Sequence, residues 1–96
     1  MSLRFLPDVV EDLDSGRRWY DERSEGLGAA FIAACVESLE RIRRNPEWVA
    51  VDADGIRSIR IRRFPYVIHY RFTESQITVI AIMFGGRDPS TWQTRG

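Results

Sequence analysis

Apolar positions recur every three or four residues through the first half of the chain and every second residue through the rest, which predicts helices followed by strands. Val9, Val10, Leu13 and Tyr20 form a stripe over residues 7–22, opened by Pro7 and Asp8, a pair suited to a first helical turn. Gly16 and Arg17 weaken the middle of that stripe. Gly26 and Gly28 then interrupt. Leu27, Phe31, Cys35, Leu39 and Ile42 resume the helical spacing, and Asn45-Pro46 closes the run. A link this short folds the second helix back on the first as an antiparallel hairpin. Within the second helix, Glu37 with Arg41 and Glu40 with Arg44 stand four residues apart in the favoured order for exposed ion pairs.

From residue 56 the period becomes two. Ile59 and Ile61 alternate with Ser58, Arg60 and Arg62, and Tyr66, Ile68, Tyr70 and Phe72 alternate with Val67, His69 and Arg71, as in two half-buried strands. With residues 63–66 as the connection, Arg62 is expected opposite Val67, Arg60 opposite His69 and Ser58 opposite Arg71. Ile59 and Ile61 then face Tyr70 and Ile68. Residues 73–75 make the next turn. Residues 77–84 are apolar on both faces, as expected of a central strand covered on both sides. The expected class is α+β, one domain over residues 1–96: an N-terminal helical hairpin at about 7–45, packed on a small antiparallel β-sheet at about 56–84, and a C-terminal tail at 85–96.

Composition narrows the chemistry. With 96 residues there is chain for one core, and 44% hydrophobic with 29% charged residues is the balance of a folded domain. One cysteine and one histidine exclude an internal disulfide and a structural zinc site of four side-chain ligands, so no metal or cofactor is expected. No window is long and apolar enough to span a membrane, and Met1-Ser2-Leu3-Arg4 lacks a signal peptide's apolar region, so the expected location is the cytoplasm, with no membrane partner. Net charge is zero, and every positive residue is arginine. Seven arginines fall in residues 55–96 against two acids, Glu74 and Asp88, which makes the C-terminal half a basic surface in a neutral protein. Gly85-Gly86 leads into Arg87-Asp88-Pro89, with no phosphate-loop lysine, so nucleotide binding is not indicated.

Cys35 sits on the apolar stripe of the second helix, where a thiol acts as a small hydrophobe. His69 is the default general acid or base, and its bland reading is a solvent-facing strand residue flanked by Arg60 and Arg71. Strand alternation aims Arg60, Arg62 and Arg71 at one face, with Arg57 and Arg63 nearby, which suits an anionic partner or else a solvated face paired with acids of the hairpin. Trp19 and Trp48 are expected in or at the core, with Trp92 the exception left for a partner.

Arg63-Phe64-Pro65-Tyr66-Val67-Ile68-His69-Tyr70, followed by residues 77–83, Gly86-Arg87-Asp88-Pro89 and Trp92, resembles the RelE/ParE toxin superfamily, closest to its ParE-like, plasmid-stabilisation branch. The resemblance extends upstream to Trp19-Tyr20, Gly26-Leu27-Gly28 with Phe31, Asn45-Pro46 and Gly55-Ile56-Arg57, so it covers nearly the whole chain. It implies a helical hairpin on an antiparallel sheet. It also implies the bacterial toxin of a type II toxin–antitoxin system, neutralised by a cognate antitoxin.

The two branches differ in activity: RelE-like members resemble ribosome-dependent endoribonucleases that cut messenger RNA, and ParE-like members are associated with inhibition of DNA gyrase. Of the four RelE-type site positions, two fall on Arg60 and Arg87, while the others fall on Val67 and near Trp92 and Gln93, which cannot supply the missing charge and proton transfer. The sequence also departs from the ParE-like pattern at Phe84, where a histidine commonly precedes the glycine–arginine segment. Gyrase inhibition needs no catalytic set. The expectation is therefore a binding protein and not an enzyme, with partner contacts at Arg57, Arg60, Arg62, Arg71, Arg87 and Trp92. The antitoxin is expected to lay an amphipathic helix along the hairpin groove and an extended segment against the sheet, with Arg60, Arg62 and Arg87 taking its carboxylates. The alternatives are a ribosome-dependent endoribonuclease acting on messenger RNA through Arg60, His69 and Arg87, and a degenerate, non-toxic family member.

Overall fold

The computed structural model describes residues 2–95. In order along the chain come β1 (Leu3–Phe5), α1 (Pro7–Arg23), α2 (Leu27–Arg44), β2 (Arg57–Arg60), β3 (Tyr66–Thr73), β4 (Gln76–Phe84) and a 3₁₀ turn (Pro89–Thr91). The helical hairpin and the β2–β3–β4 antiparallel meander match the sequence reading, and the class is α+β.

The sheet is mixed, however. β1 adds a parallel strand outside β4, with Leu3 opposite Ile77 and Phe5 opposite Val79, and the order is β1-β4-β3-β2. Three residues are too few to display a period, so the pattern of Leu3 and Phe5 carried no strand signal. Leu6 continues the ladder by donating its N–H to the Val79 carbonyl at 3.1 Å, and it holds the extended backbone that a residue before proline prefers.

The hairpin closes at two glycines. A Cβ on Gly16 would stand 2.5 Å from Cε2 of Phe31, and one on Gly28 would stand 2.5 Å from the Arg17 carbonyl oxygen. Gly16 therefore does not weaken the α1 stripe; its missing side chain is the socket for the buried Phe31 ring. Asp21 on α1 accepts the Gly28 N–H at 2.7 Å, which satisfies one of the orphan amides at the start of α2.

The β2–β3 register differs from the expectation by two residues. Ser58 pairs with His69, Ile59 with Ile68 and Arg60 with Val67. β2 ends at Arg60, Ile61 donates to the Tyr66 carbonyl at 3.0 Å, and the turn passes through Arg63 in a left-handed conformation at φ 72°, so the connection is longer than residues 63–66. A shift of two keeps each side chain on its own face. Which side chains meet is nonetheless changed.

Two apolar layers result. Toward the helices, Ile59, Ile68, Tyr70, Ile77, Val79 and Ile82 pack with Val9, Tyr20, Phe31, Cys35, Leu39 and Ile42. On the opposite face, Ile56, Ile80, Ala81 and Met83 are covered by Trp92 from the tail. A bulge between His69 and Tyr70 makes the second layer possible: His69 pairs with Ala81 and Tyr70 with Val79, leaving Ile80 as the extra residue on β4. Residues 77–84 are thus covered on both sides, as their composition predicts.

Candidate functional site

The face of the sheet away from the helices is the one on which the sequence placed its basic cluster. Arg60 projects there, exposed, in the same row as Val67 and Met83. Arg57 and Arg71 are spent on holding loops: Arg57 donates to the carbonyls of Val49 and Glu47, and Arg71 donates to the Asp54 carbonyl at 2.8 Å. Arg62 lies past the end of β2 and turns to α2, where its Nε is 3.3 Å from Glu37. The expected three-arginine face therefore does not form, because the strand ends before Arg62 and alternation stops with it. Glu37, met by Arg62, does not pair with Arg41, and within α2 Glu40 takes Arg43 at 2.9 Å and not Arg44.

His69 is not solvent-facing. Its ring lies against Trp92, with centroids 3.8 Å apart and planes at 17°, and its Nδ1 is 2.7 Å from Ser58 Oγ. Burial pulls its pKa down to about 4, outweighing the distant pull of Asp52 and Asp12, so the ring is neutral at pH 7. Trp92 is itself only 5% exposed. The sequence expectation for the tryptophans is inverted: Trp19 and Trp48 are about half exposed and Trp92 is core. Trp92 is drawn in by the anchoring of the tail. Arg95 binds Asp12 of α1 at 2.7 and 3.2 Å, approaches Asp8 at 3.5 Å and donates to the Ile80 carbonyl.

Arg87 stands elsewhere. It lines a groove on the helix side, at the end of the sheet where β3 begins and β4 finishes. The groove consists of two adjoining depressions of about 340 and 220 Å³ that share Tyr66, Phe84 and Arg87. Trp19, Tyr20 and Pro65 wall the larger depression; Asp12, Ser15 and Arg95 border the smaller. Its apolar wall is an aromatic set in edge and tilted contact: Trp19 on Tyr20 at 5.0 Å, Tyr20 on Tyr66 at 6.0 Å and Tyr66 on Phe84 at 6.2 Å. Phe84 is 50% exposed, and the Arg23 guanidinium covers one side of Trp19 at 3.2 Å. Burial raises the Tyr66 pKa while the Arg87 charge pulls it the other way, so the hydroxyl remains a neutral donor beside a cation. Arg87 has no carboxylate partner among the described residues.

Arg60 and His69 are thus on one side of the sheet, and Arg87 is on the other. Sequence reasoning named Arg87 but not Trp19, Tyr66 or Phe84 as its companions. Phe84 was legible as a large apolar residue at the end of a strand, and its pairing with Tyr66 is the signal that joins them. Cys35 is buried, and burial pushes its thiol up to about 12, which leaves it without nucleophilic character at neutral pH. No group of residues suited to hold a metal ion is present among the described residues. No helix is long and apolar enough to cross a membrane.

The family described as ParE toxin of type II toxin-antitoxin system, parDE, matches residues 3–89. No curated protein sequence matches significantly. Among solved structures, the chromosomal ParDE toxin–antitoxin system from P. aeruginosa includes a chain that superposes with a TM-score of 0.75 at 20% identity, covering 85% of this chain and 92% of that one.

Proposed function

The chain belongs to the ParE toxin family of type II toxin–antitoxin systems, and from that premise we propose that it acts by binding a protein target in the cytoplasm, DNA gyrase first, and is neutralised by an antitoxin seated in the Trp19–Tyr66–Phe84–Arg87 groove. The observation that carries this reading is the separation of Arg60 and His69 from Arg87 by the thickness of the sheet. Cleavage by a ribose 2′-hydroxyl requires a base and phosphate-binding groups converging on one phosphate. Here the two arginines address different faces, and the only imidazole is stacked under Trp92. A groove with aromatic walls and a free guanidinium instead suits an amphipathic segment carrying both apolar and acidic side chains.

The antitoxin is sought in the neighbouring reading frame. Trp19→Ala and Arg87→Ala are each expected to weaken its binding about tenfold or more, the effect of losing roughly 1.4 kcal/mol at an anchor. Purified toxin is expected to inhibit gyrase supercoiling and to produce no A-site cuts in ribosome-bound message by primer extension. Cuts lost in Arg60→Ala or His69→Ala would replace this reading with the nuclease. Absence of growth arrest on induction would identify a non-toxic family member.

A further inference from the structure

We propose that the antitoxin enters the groove by strand addition: a short extended segment of it lies along the outer edge of β4, parallel to that strand, and fills a gap in the ladder opposite Met83. The inference rests on the reading of this chain as a toxin neutralised in the Trp19–Tyr66–Phe84–Arg87 groove, and it adds how the bound segment is held and in which direction it runs.

The gap follows from the backbone pairing of β4. Gly85 donates to the Pro65 carbonyl at 2.8 Å, and bonded and non-bonded pairs alternate back from there along the antiparallel ladder. Val67 with Met83 is a bonded pair. Tyr66 with Phe84 and Ile68 with Ile82 are non-bonded pairs, so the N–H and C=O groups of Ile82 and Phe84 point away from β3. Ile82 agrees with this, since its N–H is taken at 3.0 Å by Asp12, which lies outside the sheet.

On this outer side β1 pairs with β4 only as far as Val79, and Leu6 donates to the Val79 carbonyl. Asp12 and Arg95, joined at 2.7 Å, then stand where a further strand residue would: the guanidinium donates to the Ile80 carbonyl and the carboxylate accepts the Ile82 N–H. Past them the Ile82 carbonyl and the Phe84 N–H have no hydrogen-bond partner among the described residues, whereas the Phe84 carbonyl accepts the Arg87 N–H at 3.0 Å. An open edge of this kind is a template for an added strand.

The two remaining groups set the direction. A residue in a parallel strand donates to the carbonyl before its neighbour and accepts from the N–H after it, which here are Ile82 C=O and Phe84 N–H on either side of Met83. An antiparallel residue exchanges both bonds with one residue, and Ile82 and Phe84 each have one group already occupied.

The gap opens on the smaller depression of the groove, where Arg87 stands without a carboxylate. The acids around it are engaged: Asp8 and Asp12 on Arg95, Glu11 on Arg18, and Asp88 on the Ser90 N–H at 2.9 Å. Glu22 borders a separate depression with Arg17 and Arg18. The incoming residue opposite Met83 carries its side chain on the Met83 side of the sheet, so the residue after it points into the groove beside Phe84, where Arg87 selects a carboxylate. Running parallel to β4, the segment then reaches the larger depression between Trp19, Tyr20 and Pro65, which takes an apolar side chain. From N- to C-terminus the segment therefore reads extended residue, acid, apolar residue.

Amide hydrogen exchange of the toxin, alone and bound to the whole antitoxin from the neighbouring reading frame, reads the gap directly. The Phe84 N–H is expected to exchange freely in the toxin alone and about tenfold or more slowly in the complex, while the Met83 and Gly85 N–H groups, bonded within the sheet, are protected in both. In the antitoxin, proline at the residue opposite Met83 should weaken binding about tenfold beyond alanine at the same place, because it removes the donor to Ile82. A nitroxide at the N-terminal end of the bound segment should broaden Asp12 more than Trp19, and one at the C-terminal end the reverse. A freely exchanging Phe84 N–H in a complex that Trp19→Ala and Arg87→Ala still weaken overturns this inference alone, as does the opposite order of broadening. Protection of Phe84 in the toxin alone that disappears on dilution would give the edge to a second copy of the chain, and so would also overturn it. Wild type that binds no antitoxin overturns the underlying reading and the inference with it.

Discussion

The imidazole of His69 and the indole of Trp92 lie face to face, 3.8 Å between ring centres and 17° from parallel, across the side of the sheet that the helices leave uncovered. Ser58 holds the other edge of the imidazole at 2.7 Å. The contact joins the tail to the sheet, and it favours the uncharged ring.

Stability should therefore depend on pH through His69. Its folded-state pKa is pulled from 6.5 to about 4 by burial, so between these values the unfolded chain binds more protons than the folded one. The contribution is fully present above pH 6.5 and is lost as pH falls toward 4. By pH 5 the loss is expected to be about 2 kcal/mol relative to pH 7.5. Urea unfolding between pH 5 and 7.5 checks this, with His69→Gln expected to flatten the slope in that window.

Gly16→Ala should destabilise the fold even though alanine is the better helix former by about 1 kcal/mol. Its Cβ would meet the fully buried Phe31 ring at 2.5 and 2.6 Å, an overpacking that typically costs about 1–3 kcal/mol. Thermal melting measures the net effect, and Gly16→Ala combined with Phe31→Leu is expected to recover part of the loss. A stabilised single variant would mean that the hairpin opens freely at this crossing.

The anchor of the tail is Arg95 on Asp12, whose side chain is 9% exposed and also accepts the Ile82 N–H at 3.0 Å. Arg95→Ala leaves that largely buried carboxylate without its cation and is expected to cost about 3 kcal/mol. Trp92 should loosen with it. Tryptophan fluorescence quenching by iodide is expected to increase for Trp92, read in a background with Trp19→Phe and Trp48→Phe, while the far-ultraviolet signal of the helices stays native.

The helical hairpin was legible because α1 and α2 are long enough to repeat their period several times, and their observed limits fall within a residue or so of the sequence reading. Long strands were legible for the same reason: eight residues in β3 and nine in β4 display alternation, or its loss, plainly. β1 was not, because three residues do not make a pattern and its partner lies more than seventy positions away. Of the candidate site, Arg87 was named from sequence, but its aromatic neighbours come from α1 and from the ends of β3 and β4, which only the fold brings together. The arginine cluster was overread. Local alternation places side chains on faces only while the strand lasts, and β2 ends at Arg60.

Sequence alone thus determined the α+β class, the order of the major elements, the burial of Cys35 and the two-sided apolar character of β4, since each depends on spacing or composition along a short stretch. The tertiary structure decided the register of Ser58 with His69, the inward turn of Trp92, the loss of Arg57, Arg71 and Arg95 to internal contacts, and the separation of Arg60 from Arg87. Those outcomes rest on turn length, on one bulge and on an ion pair between residues 12 and 95, energies set by groups that meet only once the chain has closed on itself.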